Sequence, residues 1–290
     1  MVTGVTRLVG ILGNPVSHSL SPAIHNAAFH AMGMDWTYVP LPVDAEKLGD
    51  GIKGIRAVGF QGANVTVPHK ENAIPFLDEI SPEARRIGAV NTISFRDGEI
   101  KGDNTDWLGI LEDLNEKGFD TSGRMVMILG SGGSARATAY AVVSSGADLI
   151  VCSRNLRTVR ALVDDLQGLF PDRVMEFTPL ESAAQVEAPI DLVINTTPLG
   201  MSPETESSPW PAGDPLPRCE LVYDLVYNPR ITRLMKQARE QGLEATNGLG
   251  MLVHQAAASF RIWTGVEPPV AVMKSAAEEA YESMSTRTDQ

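Results

Sequence analysis

Met125–Arg136 reads M-V-M-I-L-G-S-G-G-S-A-R, and this stretch decides the fold. Met125 to Leu129 is a short apolar run with the length of a strand. It passes directly into Gly130 to Arg136, where Gly130, Gly132 and Ala135 fit the pattern G-x-G-x-x-A. A glycine-rich structural turn would satisfy the same spacing. Context favours a dinucleotide loop, because a strand precedes the glycines and a helix, Ser134 to Ser145, follows them. Glycines there let the backbone approach a pyrophosphate, which then sits on the helix N-terminus.

Downstream, the strand Leu149 to Cys152 ends in S-R-N-L-R-T, Ser153 to Thr158. An NAD site usually has Asp or Glu here for the ribose 2′-hydroxyl. This run has Arg154 and Arg157 instead, and a guanidinium can hold a 2′-phosphate bidentately where an acid would repel it. The residues favour NADP over NAD, against the plainer reading of two helix-surface arginines. Strands follow at Val174 to Phe177, Leu192 to Asn195 and Leu221 to Val226, with helices between. Asn195 to Met201 is a further strand-end loop, and Ser202 to Arg218, rich in Pro and Ser, reads as surface loop. Tyr227-Asn228-Pro229 closes the next strand. The helix Thr232 to Gln241 leads through N-G-L-G-M, Asn247 to Met251, to two apolar-faced helices, Leu252 to Thr264 and Pro269 to Glu282. Gln255 lies in the first turn of the former.

Upstream, strand–helix alternation also predicts a parallel sheet. Strands are expected at Leu8 to Leu12, Trp36 to Val43 and Phe60 to Val67, with helices at Ala23 to Met32 and Ala45 to Val58. Ser21 followed by Pro22 reads as N-cap and N1. Ser17 and Ser19, just ahead of that helix, are either ordinary loop serines or a neutral carboxylate clamp. In Gly62–Lys70, G-A-N-V-T-V-P-H-K, Val65 and Val67 alternate with Asn64 and Thr66. Pro68 cannot continue a central ladder, so the chain leaves the sheet there. Lys70 then stands at the strand's carboxyl edge, before an expected helix from Glu71 to Leu77. It is either a solvated turn lysine or an acid/base group. A short helix at Pro82 to Ile87 and a hairpin turning at Asp97-Gly98 precede G-D-N-T-D, Gly102 to Asp106, and a helix from about Trp107 to Lys117. Asp106 reads either as a first-turn acid that favours the helix dipole or as a functional carboxylate.

The 290 residues, 43% apolar and 21% charged, suggest a globular chain of two domains. The net charge of −12 argues against nucleic acid or an anionic membrane as partner, though a local site can still take an anionic small molecule. The 2 cysteines are too few for a disulfide framework, which indicates a reducing compartment. No run reaches the roughly 18 apolar residues of a spanning helix, so a cytoplasmic location is expected. The 5 histidines lack metal-ligand spacing, and no metal is expected.

N-P-V-x-H-S-L-S-P, N-V-T-V-P-H-K, G-A-V-N-T, G-D-N-T-D, G-S-G-G-S-A, Y-N-P and N-G-L-G-M-L-V-H-Q occur here in this order, between Gly13 and Gln255. Together they resemble the shikimate dehydrogenase family. The resemblance implies an α/β chain of two domains with a cleft between them. A mostly parallel-sheet substrate domain (residues 1–106 and 248–290) would carry an inserted Rossmann NADP-binding domain (residues 107–247). It implies NADP-linked reduction of 3-dehydroshikimate to shikimate in aromatic amino-acid biosynthesis, by a monomer or homodimer. Lys70 matches the catalytic lysine, assisted by Asp106. Ser17 and Ser19 match the carboxylate-binding serines. Thr66, Asn91, Asp106 and Gln255 match ring-hydroxyl contacts, and Asn64 and Tyr227 line the site. Gly130, Ser131, Gly132, Gly133 and Ser134 match the pyrophosphate loop. Ser153, Arg154, Arg157 and Thr158 fall at the 2′-phosphate, and Leu225 and Gly248 beside the nicotinamide. One departure stands out: Thr158 occupies the place of the family's second 2′-phosphate arginine, with Arg157 one residue earlier. Competing readings are a quinate/shikimate dehydrogenase using NAD, a non-catalytic NADP-binding sensor of the same fold, and a methylene-tetrahydrofolate-type dehydrogenase. Lys70 with Asp106 argues against the sensor, and the serine pair with Asn91 and Gln255 against the last.

Overall fold

The computed structural model describes residues 2–288, with side chains as far as Met284. The outermost ends of the expected substrate domain, residue 1 and residues 289–290, lie outside the described residues. The chain divides into two units. One comprises the residues up to Gly109 together with those from Leu252 onward, and the other is Ile110–Met251.

The first unit holds a 6-stranded sheet of β1 (Arg7–Gly13), β2 (Trp36–Pro42), β3 (Gly62–Val65), β4 (Glu79–Ile80), β5 (Thr92–Arg96) and β6 (Glu99–Asp103), ordered β2-β1-β3-β5-β6-β4. Every pairing is parallel except the two made by β5. β5 turns back into β6 at Asp97 (φ 54) and Gly98 (φ 83), the two positive-φ residues that a tight hairpin turn demands. Its helices are α1 (Ser21–Ala31), α2 (Leu48–Ala57) and α3 (Pro82–Ile87). Leu48, Ile52 and Ile55 form one stripe of α2 and pack with Leu12, Ala63, Val65 and Ile93. Adjacent side chains of β2 face opposite ways. Val39 therefore joins that core, while Tyr38 meets an aromatic group of Phe29, Phe260 and Trp263.

α4 (Asp106–Glu116) begins in this unit and ends in the second. The second unit holds β7 (Met125–Leu129), α5 (Gly133–Ser144), β8 (Asp148–Ser153), α6 (Leu156–Leu169), β9 (Met175–Pro179), β10 (Leu192–Asn195), β11 (Leu221–Asp224), α7 (Arg233–Glu240) and β12 (Ala245–Asn247). Its sheet, β12-β11-β10-β7-β8-β9, is parallel throughout. The order reverses at β7, so the Gly130 loop stands at the switch point where open α/β sheets bind ligands. α8 (Leu249–Thr264) returns the chain to the first unit, and α9 (Val270–Thr288) ends it. Among the described residues no helix is long and apolar enough to cross a membrane.

Several local expectations change. β3 stops at Val65, three residues before the proline, and all four of its residues are buried. Val65 is 1% exposed and Val67 65%, so the expected alternation ends where the sheet ends. Glu71 to Leu77 forms no α-helix, only turns and a 3-10 segment, Ile74–Phe76. Pro75 is the reason, because it lacks the N–H that an α-helix would bond to the Glu71 carbonyl. No α-helix therefore begins directly after Lys70. Ser21 is the first helical residue, not the cap, and its hydroxyl meets Tyr38. No helix separates β10 from β11, and only a 3-10 segment, Leu180–Gln185, separates β9 from β10.

Candidate active site

Lys70 and Asp106 come together in the first unit. Lys70 Nζ donates to Asp106 Oδ2 at 2.6 Å, with the two side chains 15% and 5% exposed. A pair so withdrawn from water has lost hydration that only good geometry and further hydrogen bonds replace. Both partners are held by their backbones. The Lys70 carbonyl accepts from Val90 N at 2.8 Å. The preceding His69 is fully buried, and its Nε2 donates to the Val43 carbonyl at 2.7 Å. Asp106 opens α4, its N–H donating to Asn104 Oδ1 at 3.0 Å, and Asn104 Nδ2 donates in turn to the Ala89 carbonyl at 2.9 Å.

The second carboxylate oxygen, Asp106 Oδ1, accepts from Asn91 Nδ2 at 2.8 Å. Asn91 Nδ2 also reaches Thr105 Oγ1 at 2.9 Å and Gln255 Oε1 at 3.4 Å. Asn91 Oδ1 accepts from Thr105 N at 2.8 Å and Thr92 Oγ1 at 3.0 Å. Asn64, paired in register with Thr92, accepts from Tyr38 OH at 2.8 Å. Its Nδ2 has acceptors in the Asn91 carbonyl, Thr92 Oγ1 and Ser259 Oγ. Both Asn64 amide protons thus have protein acceptors. Gln255 is buried, with Nε2 donating to the Leu252 carbonyl at 2.8 Å.

The hydroxyls differ in availability. Ser17 is exposed and Thr66 half-buried, and neither hydroxyl has a hydrogen-bond partner among the described residues. Ser19 Oγ accepts from Ser21 N at 3.3 Å, a structural task absent from the sequence reading, yet its own proton stays available. Tyr38, Thr92, Thr105 and Ser259 also belong to this polar cluster. Sequence reasoning did not single them out, because a hydroxyl that burial alone brings to a cluster carries no local signature.

The other residues lie in the second unit. Gly130 has φ +120, and a Cβ there would stand 2.5 Å from Thr196 Oγ1, so the turn requires glycine. Beside Gly132, by contrast, a Cβ would meet nothing within 4 Å. Open space over a glycine at the start of a helix is what an approaching pyrophosphate needs. Gly133 and Ser134 open that helix. Ser131 Oγ and Ser153 Oγ lie 2.8 Å apart, joining the glycine loop to the end of β8. Arg154 and Arg157 are exposed and make no ion pair among the described residues. Thr158 N donates to Asn155 Oδ1, the cap of α6. Arg154 also lines a cavity of about 580 Å³ with Leu180, Trp210 and Arg233. Gly248 abuts Leu225, whose carbonyl oxygen would be 2.2 Å from a Cβ at 248. Tyr227, half-buried, follows β11. These features fit a dinucleotide carrying a 2′-phosphate.

Two family models match the chain: the shikimate dehydrogenase substrate binding domain over residues 11–93, and the shikimate 5′-dehydrogenase C-terminal domain over residues 248–278. The shikimate dehydrogenase (NADP(+)) of Moorella thermoacetica is 46% identical over 98% of this chain and 97% of its own. That of Carboxydothermus hydrogenoformans is 42% identical over 95% of this chain and 98% of its own. The crystal structure of shikimate 5-dehydrogenase from Thermus thermophilus, in complex with NADP(H) and shikimate, superposes with a TM-score of 0.84 at 37% identity. The match covers 94% of this chain and 99% of that one.

Proposed function

Since the chain belongs to the shikimate dehydrogenase family, we propose from that premise how its residues divide the work of the reaction. The chain is an NADP-dependent oxidoreductase that interconverts 3-dehydroshikimate and shikimate, a step of aromatic amino-acid biosynthesis. The dinucleotide, when bound, would supply the hydride as NADPH in reduction and take it up as NADP+ in oxidation. The side chains must bind the substrate, orient it and move one proton at the reacting oxygen.

Lys70 moves that proton. Its ammonium gives one to the carbonyl oxygen in reduction, and its amine takes one from the hydroxyl in oxidation. Asp106 fixes the direction of Lys70 Nζ and offers its carboxylate to a neighbouring ring hydroxyl. Ser17 and Ser19 donate to the substrate carboxylate, and Thr66 Oγ1 to a ring hydroxyl. The 3.4 Å Asn91–Gln255 contact is the longest that Asn91 makes, so Gln255 Oε1 is the acceptor most readily turned to a substrate hydroxyl. Asn64 serves by holding Asn91 and Thr92 in place, and Tyr227 takes part in substrate binding. Gly130 to Ser134 take the pyrophosphate, Ser153, Arg154, Arg157 and Thr158 the 2′-phosphate, and Leu225 and Gly248 the nicotinamide.

The observation that carries this assignment is the buried 2.6 Å Lys70–Asp106 pair, anchored on its far side by Asn91. The test is shikimate-dependent formation of NADPH, followed by absorbance. Lys70→Ala should lower kcat by roughly 10²–10⁴ with little change in KM. A raised KM with kcat intact would make Lys70 a binding residue only. Absence of turnover by the parent chain with either NADP or NAD would overturn the functional reading itself.

A further inference from the structure

Ser259 lies on α8 one turn after Gln255, is fully buried, and belongs to none of the motifs that mark the site. Its hydroxyl is nevertheless the meeting point of the polar cluster. It accepts from Asn64 Nδ2 at 3.0 Å and stands 2.8 Å from Thr92 Oγ1 and 3.1 Å from Thr105 Oγ1. It also lies 3.1 Å from the Gln255 carbonyl, to which it donates. These partners come from β3, β5, the turn before α4, and α8 itself.

Counting protons gives the bonds a direction. The Thr105 backbone N–H can only donate, so the atom it meets is Asn91 Oδ1, and the Asn91 amide protons point to Thr105 Oγ1 and Asp106 Oδ1. Thr92 Oγ1 has one proton for two neighbours, Asn91 Oδ1 at 3.0 Å and Ser259 Oγ at 2.8 Å. Thr105 Oγ1 has accepted from Asn91 and still has its own proton to place. Ser259 Oγ at 3.1 Å is an acceptor that does not compete for Asn91 Oδ1. Ser259 passes its proton to the Gln255 carbonyl, closing the chain of donors on the helix that carries Gln255. Without this oxygen, Asn64 loses one acceptor and Thr105 must turn its proton to Asn91 Oδ1, 3.2 Å away, in competition with Thr92. Gln255, one turn earlier on the same helix, then loses a tie to the strands that carry Asn64 and Thr92.

We propose that Ser259 is a positioning residue for the reaction. It touches no reacting atom. It ties α8, and with it Gln255, to the strands and the turn that carry Asn64, Thr92, Thr105 and the Lys70–Asp106 pair's anchor. The proposal rests on the assignment of Lys70, Asp106 and Gln255 given above.

The test compares Ser259→Ala, Thr92→Val and the double variant with the parent. Met273→Ala, a fully buried change on α9 away from the cluster, serves as a packing-loss control. Ser259→Ala should lower kcat/KM for shikimate by about five- to 150-fold, the range for a buried donor left unsatisfied. The Kd for NADP, read by fluorescence titration, should stay at the parent value. The double variant should lose less than the product of the single losses, because the two hydroxyls share a contact. The control should lower Tm without changing the shikimate KM. Parent-like kcat/KM in Ser259→Ala, a matching loss in the control, or strictly multiplicative losses would overturn the proposal. If Ser259→Ala does not fold, Thr92→Val, which keeps the side-chain shape, carries the same criterion alone. A parent that does not turn over shikimate counts against the functional reading, whereas a parent that does, beside an unaffected Ser259→Ala, counts against the positioning role alone.

Discussion

His25 shows how a single side chain sets the pH response of the first unit. It is fully buried on α1, its imidazole stacked 4.4 Å from the Tyr38 ring at 6°, and neither ring nitrogen has a hydrogen-bond partner among the described residues. Burial with no compensating acceptor lowers its pKa from 6.5 to about 3. The folded chain keeps His25 neutral while the unfolded chain protonates it below pH 6.5. Between those two values the unfolded state binds the extra proton, so stability falls as the pH falls. His25→Phe keeps the stacking and removes the titration. Between about pH 6 and pH 4 the parent should lose about 2–3 kcal/mol more than the variant. Urea unfolding at several pH values reads this directly, and parallel curves for the two proteins would show that His25 does not titrate in this way. The same logic of buried polar groups explains why Asn64 and Asn91 serve as frame. Once the backbone has buried an amide, its protons must find protein acceptors.

At the scale of elements, the cap of α7 shows how a helix start and a strand end are tied together. Thr232 accepts from Met235 N as N-cap, and its hydroxyl donates to Asp224 Oδ2 at 2.6 Å at the end of β11. Burial raises the Asp224 carboxyl to about 6, against the hydrogen bonds from Thr232, Val226 N and Asn195. Thr232→Val should cost about 2–4 kcal/mol, combining a lost cap with a lost bond to a buried carboxylate. The cost should be larger near pH 7 than near pH 5. Above about pH 6 the native Asp224 is charged and needs the donor, whereas below it the protonated acid does not. A pH-independent loss in denaturant melts would contradict this account. Elements with strong local signals were legible in the sequence: the Gly130 turn after an apolar strand, the Asp97-Gly98 hairpin, and the exit from the sheet near Pro68. Pro75 should have ruled out the helix expected after Lys70, since the periodic apolar residues Ala73, Ile74 and Leu77 masked the missing N–H. Lys70 and Asp106 were legible as a resemblance of motifs. Their shared frame was not, because Asn64 and Ser259 are 195 positions apart and nothing in either segment names the other.

Over the whole molecule, the two units differ in how the chain builds them, and that difference has consequences for folding. The second unit is one continuous segment, Ile110–Met251, whereas the first is assembled from two segments distant in sequence. The continuous segment contains all of its parallel sheet, from β7 to β12. It also contains its own core, with Met127, Leu129, Ile150, Val193, Val222 and Leu234 buried together. Its cut helices are stitched internally: Tyr223 of β11 donates to the buried Asp113 of α4, and a Cβ at Gly250 would collide with that carboxylate. A fragment spanning residues 110–251 should therefore fold alone and melt cooperatively, since its sheet and its core lie within one continuous segment. The glycine loop, Arg154 and Arg157 travel with it, so it should bind NADP and discriminate against NAD by at least about tenfold, the scale of a charge-assisted phosphate contact. Arg154→Ala in the fragment should weaken NADP while leaving NAD unchanged, because only the former carries the 2′-phosphate. Calorimetric titration of both nucleotides distinguishes the outcomes. Equal Kd values for NADP and NAD would remove Arg154 and Arg157 as the basis of cofactor choice, and an unfolded fragment would show that the second unit depends on the first for its stability.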